Sequence, residues 1–159
     1  MAIVVEQAEV TTGLEAVYRE DGARLWRALY AYSNDAELAS DAGAEAFAQA
    51  LSRGTAIRDL RNWVWRTAFR VAAGYLKNRS RYAAGPIPEG VTHDFHLDDE
   101  LVVALQGLTP QQRLVIVLHY YVDCPVGEIS RRTGMNPLAV RSHLSRGRQR
   151  MRILLGDDS

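Results

Sequence analysis

Ala83-Ala84-Gly85-Pro86-Ile87-Pro88-Glu89-Gly90 carries two prolines and two glycines in eight residues and shows no helical pattern. Proline withholds a backbone donor and glycine adds conformational entropy, so neither a helix nor a strand runs through such a stretch. In a chain of 159 residues this break leaves room for two small domains. The division falls at residues 1–82, an N-terminal domain, 83–97, a flexible linker, and 98–159, a C-terminal domain.

On both sides of the break the apolar residues recur with helical spacing, and the N-terminal half shows no useful period-two alternation. A frayed tail precedes a helix that ends near Tyr32. Ser33-Asn34-Asp35 turns the chain and caps an Ala-rich helix over about 36–51, which Arg53-Gly54-Thr55 stops. A third helix is predicted over about 57–81. Beyond the linker come a short helix around Leu101–Leu108, then Thr109-Pro110-Gln111-Gln112, a capping box that opens a helix reaching about Val122. A helix from Pro125 to Thr133, a turn at Gly134-Met135-Asn136 and a last helix from Pro137 to about Leu155 complete an all-α chain.

Composition narrows the function classes. One cysteine, Cys124, excludes an internal disulfide, and the N-terminus lacks the pattern of a secretory signal, which together point to a cytoplasmic protein. The longest nearly apolar run, Leu114–Val122, is far short of the roughly 20 residues of a membrane span, so no membrane insertion is expected. Net charge is zero, with 19 Lys and Arg against 19 Asp and Glu, which taken whole argues against nucleic acid. Taken by segment it reverses: residues 57–82 carry seven bases and one acid and residues 131–152 seven bases and no acid, while residues 83–112 carry five acids and no base. Basic blocks of this kind mark nucleic-acid surfaces, although solvated helix faces produce them too.

Placing the last helix on a wheel sharpens the first alternative. Val140, Leu144, Gly147, Met151 and Leu155 form one narrow inward stripe, and Arg141, Ser142, Ser145, Arg146, Arg148, Gln149, Arg150 and Arg152 take the rest. Preceded by a short helix and a glycine turn, this is a helix-turn-helix whose outward arc suits the major groove. On the third helix, Val64, Thr67, Ala68, Val71, Ala72, Tyr75 and Leu76 share a broad apolar side with Trp65 and Phe69 at its margin. Arg66, Arg70, Lys77 and Arg81 lie opposite, with Trp63 among them. Cations beside an aromatic suit single-stranded DNA, where a ring stacks on an unpaired base; burial of Trp63 against the preceding loop is the structural alternative.

Asn62-Trp63-Val64-Trp65-Arg66-Thr67-Ala68-Phe69-Arg70-Val71-Ala72, Leu108-Thr109-Pro110-Gln111-Gln112-Arg113, and Glu128-Ile129-Ser130 followed by Val140 to Arg148 resemble, in this order, bacterial sigma factors of the extracytoplasmic-function type. The resemblance covers about residues 14–155. It implies a partner in core RNA polymerase, docked around Asp41, Glu45, Phe47 and Gln49. It also implies melted minus-ten promoter DNA on Trp63, Arg66, Arg70, Lys77, Arg79 and Arg81, and minus-thirty-five duplex on Arg141, Ser142, Ser145 and Arg146, with Arg148 and Gln149 on the same helix. An anti-sigma protein is implied as a further partner. Four departures stand out: Asp41-Ala42-Gly43-Ala44-Glu45-Ala46-Phe47 lacks the usual Leu and Gln of the docking helix, Gly74 replaces an Asp, Leu138-Ala139 replaces Gly-Thr at the start of the recognition helix, and His143 replaces an Arg.

Rival readings are an enzyme and a stand-alone helix-turn-helix regulator with an N-terminal dimerisation or sensing domain. No catalytic grouping or cofactor motif supports the first. His93, Asp94, His96, Asp98, Asp99 and Glu100 have metal-ligand chemistry but read as a solvated acidic tether. His119 reads as a satisfied core or interface residue, and Cys124 as a plain residue at a helix start, where an activated thiol of lowered pKa is the sharper alternative.

Overall fold

In the computed structural model the described residues are 2–78 and 99–156. Arg79, Arg81 and the linker 83–97 lie outside them, as do His93, Asp94, His96 and Asp98. Every regular element among the described residues is helical: α1 (Ala2–Ser33), α2 (Ala36–Arg53), a 3₁₀ turn (Gly54–Ala56), α3 (Leu60–Lys77), α4 (Asp99–Gln106), α5 (Pro110–Ile116) continued by a π turn (Val117–Tyr121), α6 (Val126–Thr133) and α7 (Pro137–Leu154). The all-α expectation stands.

Local chemistry sets the helix ends. Asp35 accepts a hydrogen bond from the Leu38 amide at 3.0 Å, and Asp59 accepts one from Asn62 at 3.2 Å, so α3 begins at Leu60 rather than Ile57. Thr109 and Gln112 form the full capping box. Each such cap contributes about 1 kcal/mol. Gly54, at φ 65°, closes α2 as expected. The first helix has no frayed start: it is helical from Ala2, because nothing before Gly13 interrupts propagation, which is cheap once a helix is nucleated.

Helices α1, α2 and α3 pack on one another, with α2 contributing the fully buried stripe Ala39, Ala42, Ala46 and Ala50. Small side chains there let the backbones approach and leave the volume to Leu25, Leu29 and Val64. Across the molecule α7 packs on α4, α5 and α6. A Cβ on Gly147 would meet Ile116 Cγ1 at 2.8 Å, so glycine is what allows α7 to lie so close to α5. The two groups of helices meet along α3–α6 and along α1 with the π turn.

That meeting explains where the helical wheel of α3 was misleading. Trp65 and Phe69 are core residues, not marginal ones: Trp65 is 0% exposed and Phe69 4%. The indole Nε1 donates to Asp21 Oδ2 at 2.8 Å, and the Arg132 guanidinium from α6 lies over the ring at 4.2 Å from its centroid. Arg132 in turn donates to Cys124 Sγ at 3.2 Å and pairs with Glu128 at 2.5 Å. Asp21, only 1% exposed, also receives Arg61 at 3.0 Å. A second buried cation, Arg113, donates to the carbonyls of Leu105 at 2.9 Å, Leu108 at 3.2 Å and, in the other helical group, Tyr32 at 3.2 Å.

Two further expectations are corrected. The helix opened at Pro110 does not run evenly to Val122 but widens into the π turn, at whose two ends Leu118 and Val122 are buried. Leu155 lies past the end of α7 and is 45% exposed, so the inward stripe stops at the half-buried Met151. Asp21→Ala strands two donors, one of them fully buried, and is expected to lower unfolding free energy by about 2–3 kcal/mol in urea titrations.

Candidate nucleic-acid interface

The turn between α6 and α7 is built from its own residues. Gly134 adopts φ 81°, a left-handed conformation that side chains resist. Ser130 Oγ donates to the Met135 carbonyl at 2.5 Å, and Thr133 Oγ1 accepts from the Met135 amide at 3.1 Å. Asn136 then caps α7 by accepting from the Ala139 amide at 2.8 Å, with Pro137 at the first helical position.

Val140, Leu144 and Gly147 hold α7 inward and the opposite surface is open. At 100° per residue, Leu138, Ser142, Ser145 and Gln149 crown the helix within about 60° of one another, with Arg141 and Arg146 flanking them. All six are exposed. Arg148 stands apart from this crown: it is half-buried, donates to the Tyr120 hydroxyl and lies over that ring at 5.7 Å.

On α3, Arg70 and Lys77 are exposed, and the helix continues through Gly74 without a break. Trp63 is half-buried beneath the Arg53 guanidinium, 5.7 Å from its ring centroid. Arg66 reaches across to α6, where its Nη2 donates to the Arg131 carbonyl at 2.8 Å, and it lies beside Gly134. Arg53, Asn62, Trp63, Arg66 and Arg131 line a cleft of about 280 Å³ between the two helical groups. Thus Trp63 and Arg66 come together with a residue of the helix-turn-helix, while Arg70 and Lys77 lie further along α3.

The predicted docking residues split between two faces of α2. Asp41, Glu45 and Gln49 share one side, and Gln49 donates to Glu45 at 3.0 Å. Phe47 turns instead into a groove of about 610 Å³ between α1 and α2, lined also by Tyr18, Trp26 and Gly43. Tyr18 meets Phe47 edge to face at 5.5 Å. On the wheel Tyr18 falls in the apolar stripe of Leu14, Val17, Leu25 and Leu29, as the helical spacing predicts, yet it is 67% exposed at this groove; Trp26 is the residue that sequence reasoning passed over.

Cys124 is buried, and burial pushes its thiol above the ordinary value of 9.0, only partly offset by Arg132. The helix-start position therefore does not activate it. His119 Nδ1 lies 3.0 Å from the Cys124 carbonyl and donates to it in the tautomer protonated at Nδ1, as a satisfied residue should. Among the described residues no group of three or more His, Cys, Asp or Glu is placed to hold a metal ion, and no helix is long and apolar enough to cross a membrane.

Residues 98–151 match the family model for Sigma-70, region 4. The ECF RNA polymerase sigma factor SigE of Mycolicibacterium smegmatis is 28% identical over 173 residues, which cover 97% of this chain and 65% of that protein. The chain therefore spans about two thirds of the length of that relative. RNA polymerase sigma factor SigV of Bacillus subtilis is 25% identical over 139 residues, covering 82% of this chain and 83% of SigV. The co-crystal structure of the sigma factor RpoE in complex with the anti-sigma factor NepR from Bartonella quintana shares the fold, with a TM-score of 0.64 at 20% identity over 95% of this chain and 99% of that one.

Burial also raises the Tyr32 hydroxyl above its ordinary 10.0. Groups whose folded pKa exceeds the unfolded one stabilise fully below the unfolded value and lose that contribution as pH rises through the folded value. The contributions of Tyr32 and Cys124 are thus expected to be lost as pH rises past about 9, and Cys124→Ala to lose stability less steeply between 9 and 10, read from urea midpoints across that range.

Proposed function

We propose that this chain, which belongs to the extracytoplasmic-function sigma factors, binds core RNA polymerase and directs promoter-specific transcription initiation. The observation that carries the reading is the open crown of α7, with Ser142, Ser145 and Gln149 flanked by Arg141 and Arg146 above a tightly built turn. Arginines supply bidentate contacts to guanine edges or phosphates, and the short polar side chains contact bases or backbone. In this reading residues 98–159 bind the minus-thirty-five duplex. Residues 1–82 take the melted minus-ten strand on Trp63, Arg66, Arg70 and Lys77, continued by Arg79 and Arg81, and 83–97 tether the two.

Core polymerase docks on α2 through Asp41, Glu45 and Gln49, with Phe47 and Tyr18 presenting an apolar groove beside them. The protein acts in the cytoplasm without a catalytic site or cofactor of its own, and an anti-sigma protein is its natural silencer. The same likenesses favour this over a stand-alone dimeric regulator. The two promoter elements lie about 25 base pairs apart, roughly 80 Å along the duplex, whereas a compact chain of this length has a radius of gyration of about 15 Å. The α3–α6 junction must therefore open before both elements are engaged.

Run-off transcription with sigma-free core polymerase on a library of upstream regions is expected to yield promoter-dependent transcripts. Tight duplex binding by the protein alone, with no open complex on any template, would sink the reading. Arg146→Ala is expected to weaken use of the minus-thirty-five element about 10- to 100-fold, to flatten the log-log salt slope by about 0.9 per lost phosphate contact, and to leave core binding intact. Equal loss of core binding would show that α7 serves something other than DNA.

A further inference from the structure

Leu138 is the most exposed of the large apolar residues among the described positions, at 76%. It is the second residue of α7, where Pro137 and the Asn136 cap fix the backbone, so its side chain is presented from an ordered turn. On the wheel it falls near the middle of the crown, about 60° from Arg141 and about 80° from Arg146. The inward stripe lies roughly opposite, so Leu138 contributes nothing to the packing of α7. An apolar side chain held in water at the centre of an otherwise polar and basic surface gains only if that surface closes on something apolar.

In the major groove the base edges offer hydrogen-bond donors and acceptors and one apolar group, the C5 methyl of thymine. A helix-turn-helix contacts base edges with the N-terminal residues of its recognition helix, which is where Leu138 stands. We propose that Leu138 is a specificity-determining residue that packs on a thymine methyl and selects thymine at one position of the minus-thirty-five element. Arg141 and Arg146 would hold the helix in register while Leu138 discriminates. This inference rests on the sigma-factor reading and names which base that surface prefers.

The test uses holoenzyme reconstituted from core polymerase and the full chain, first to select a promoter from a duplex library randomised upstream. Each thymine of the selected minus-thirty-five stretch is then replaced in turn by deoxyuridine, which removes the methyl and nothing else. At one position wild-type holoenzyme is expected to lose about three- to tenfold in open-complex formation. Leu138→Ala holoenzyme should treat the thymine and uracil templates alike, and Leu138→Met should keep the discrimination. Indifference of the wild type at every position, an equal uracil effect in Leu138→Ala, or selected sites without thymine would each overturn the proposal. So would an effect of Leu138→Ala confined to holoenzyme assembly. If wild-type holoenzyme selects no promoter at all, the sigma-factor reading fails first and this inference with it.

Discussion

The indole of Trp65 is the point on which the arrangement depends. One edge donates to a carboxylate of α1 and one face carries a guanidinium of α6, so a single buried ring on α3 ties together three helices from both groups. A buried cation–π contact contributes about 2 kcal/mol and a hydrogen bond to a charged acceptor about 1.5–3 kcal/mol. Those gains are set against the desolvation of Arg132 and Asp21, which is why each has further partners: Glu128 and Cys124 for the first, Arg61 for the second. Removing any one member leaves a neighbour buried and short of a partner, a costlier state than losing the contact alone.

From that junction the placement of the candidate surfaces follows. With α6 anchored over Trp65, the turn at Gly134 is set beside Arg66, and α7 is carried outward with its basic crown open. The π turn after α5 delivers Tyr120 to Arg148 and holds that arginine toward the packed side of α7. Buried Arg113 works similarly for the start of the second group of helices, collecting carbonyls of the α4–α5 connection and of the end of α1. The arginines among the described residues thus include surface ones available to a polyanion and interior ones that act as structural cross-links.

What could be read in the sequence was what neighbouring residues decide. The caps at Asp35, Thr109 and Asn136, the left-handed Gly134 and the inward stripe of α7 up to Gly147 all follow from short-range chemistry. What escaped was set by packing partners distant in the chain. The α3 wheel assumed one buried side, but α3 is covered by α1 and α2 on one side and by α6 on another, which turned Trp65 and Phe69 from margin to core. Arg132 counted as one more base in a basic block, since nothing beside it announces an indole 67 positions earlier. The activated thiol considered for Cys124 likewise gave way to burial. Tyr18 and Trp26 became meaningful only once α2 was laid against α1.

The Arg66 contact to the Arg131 carbonyl carries a consequence for energetics at a distance. Because a cation proposed to meet DNA is spent in the joined arrangement on the opposite helical group, promoter binding and closure compete for the same side chain. The apparent affinity for promoter is then the intrinsic affinity multiplied by the fraction of molecules already parted. Substitutions around Trp65 and Arg132 become a gain control: they set how much of the population is available to a promoter while leaving untouched which promoter is preferred.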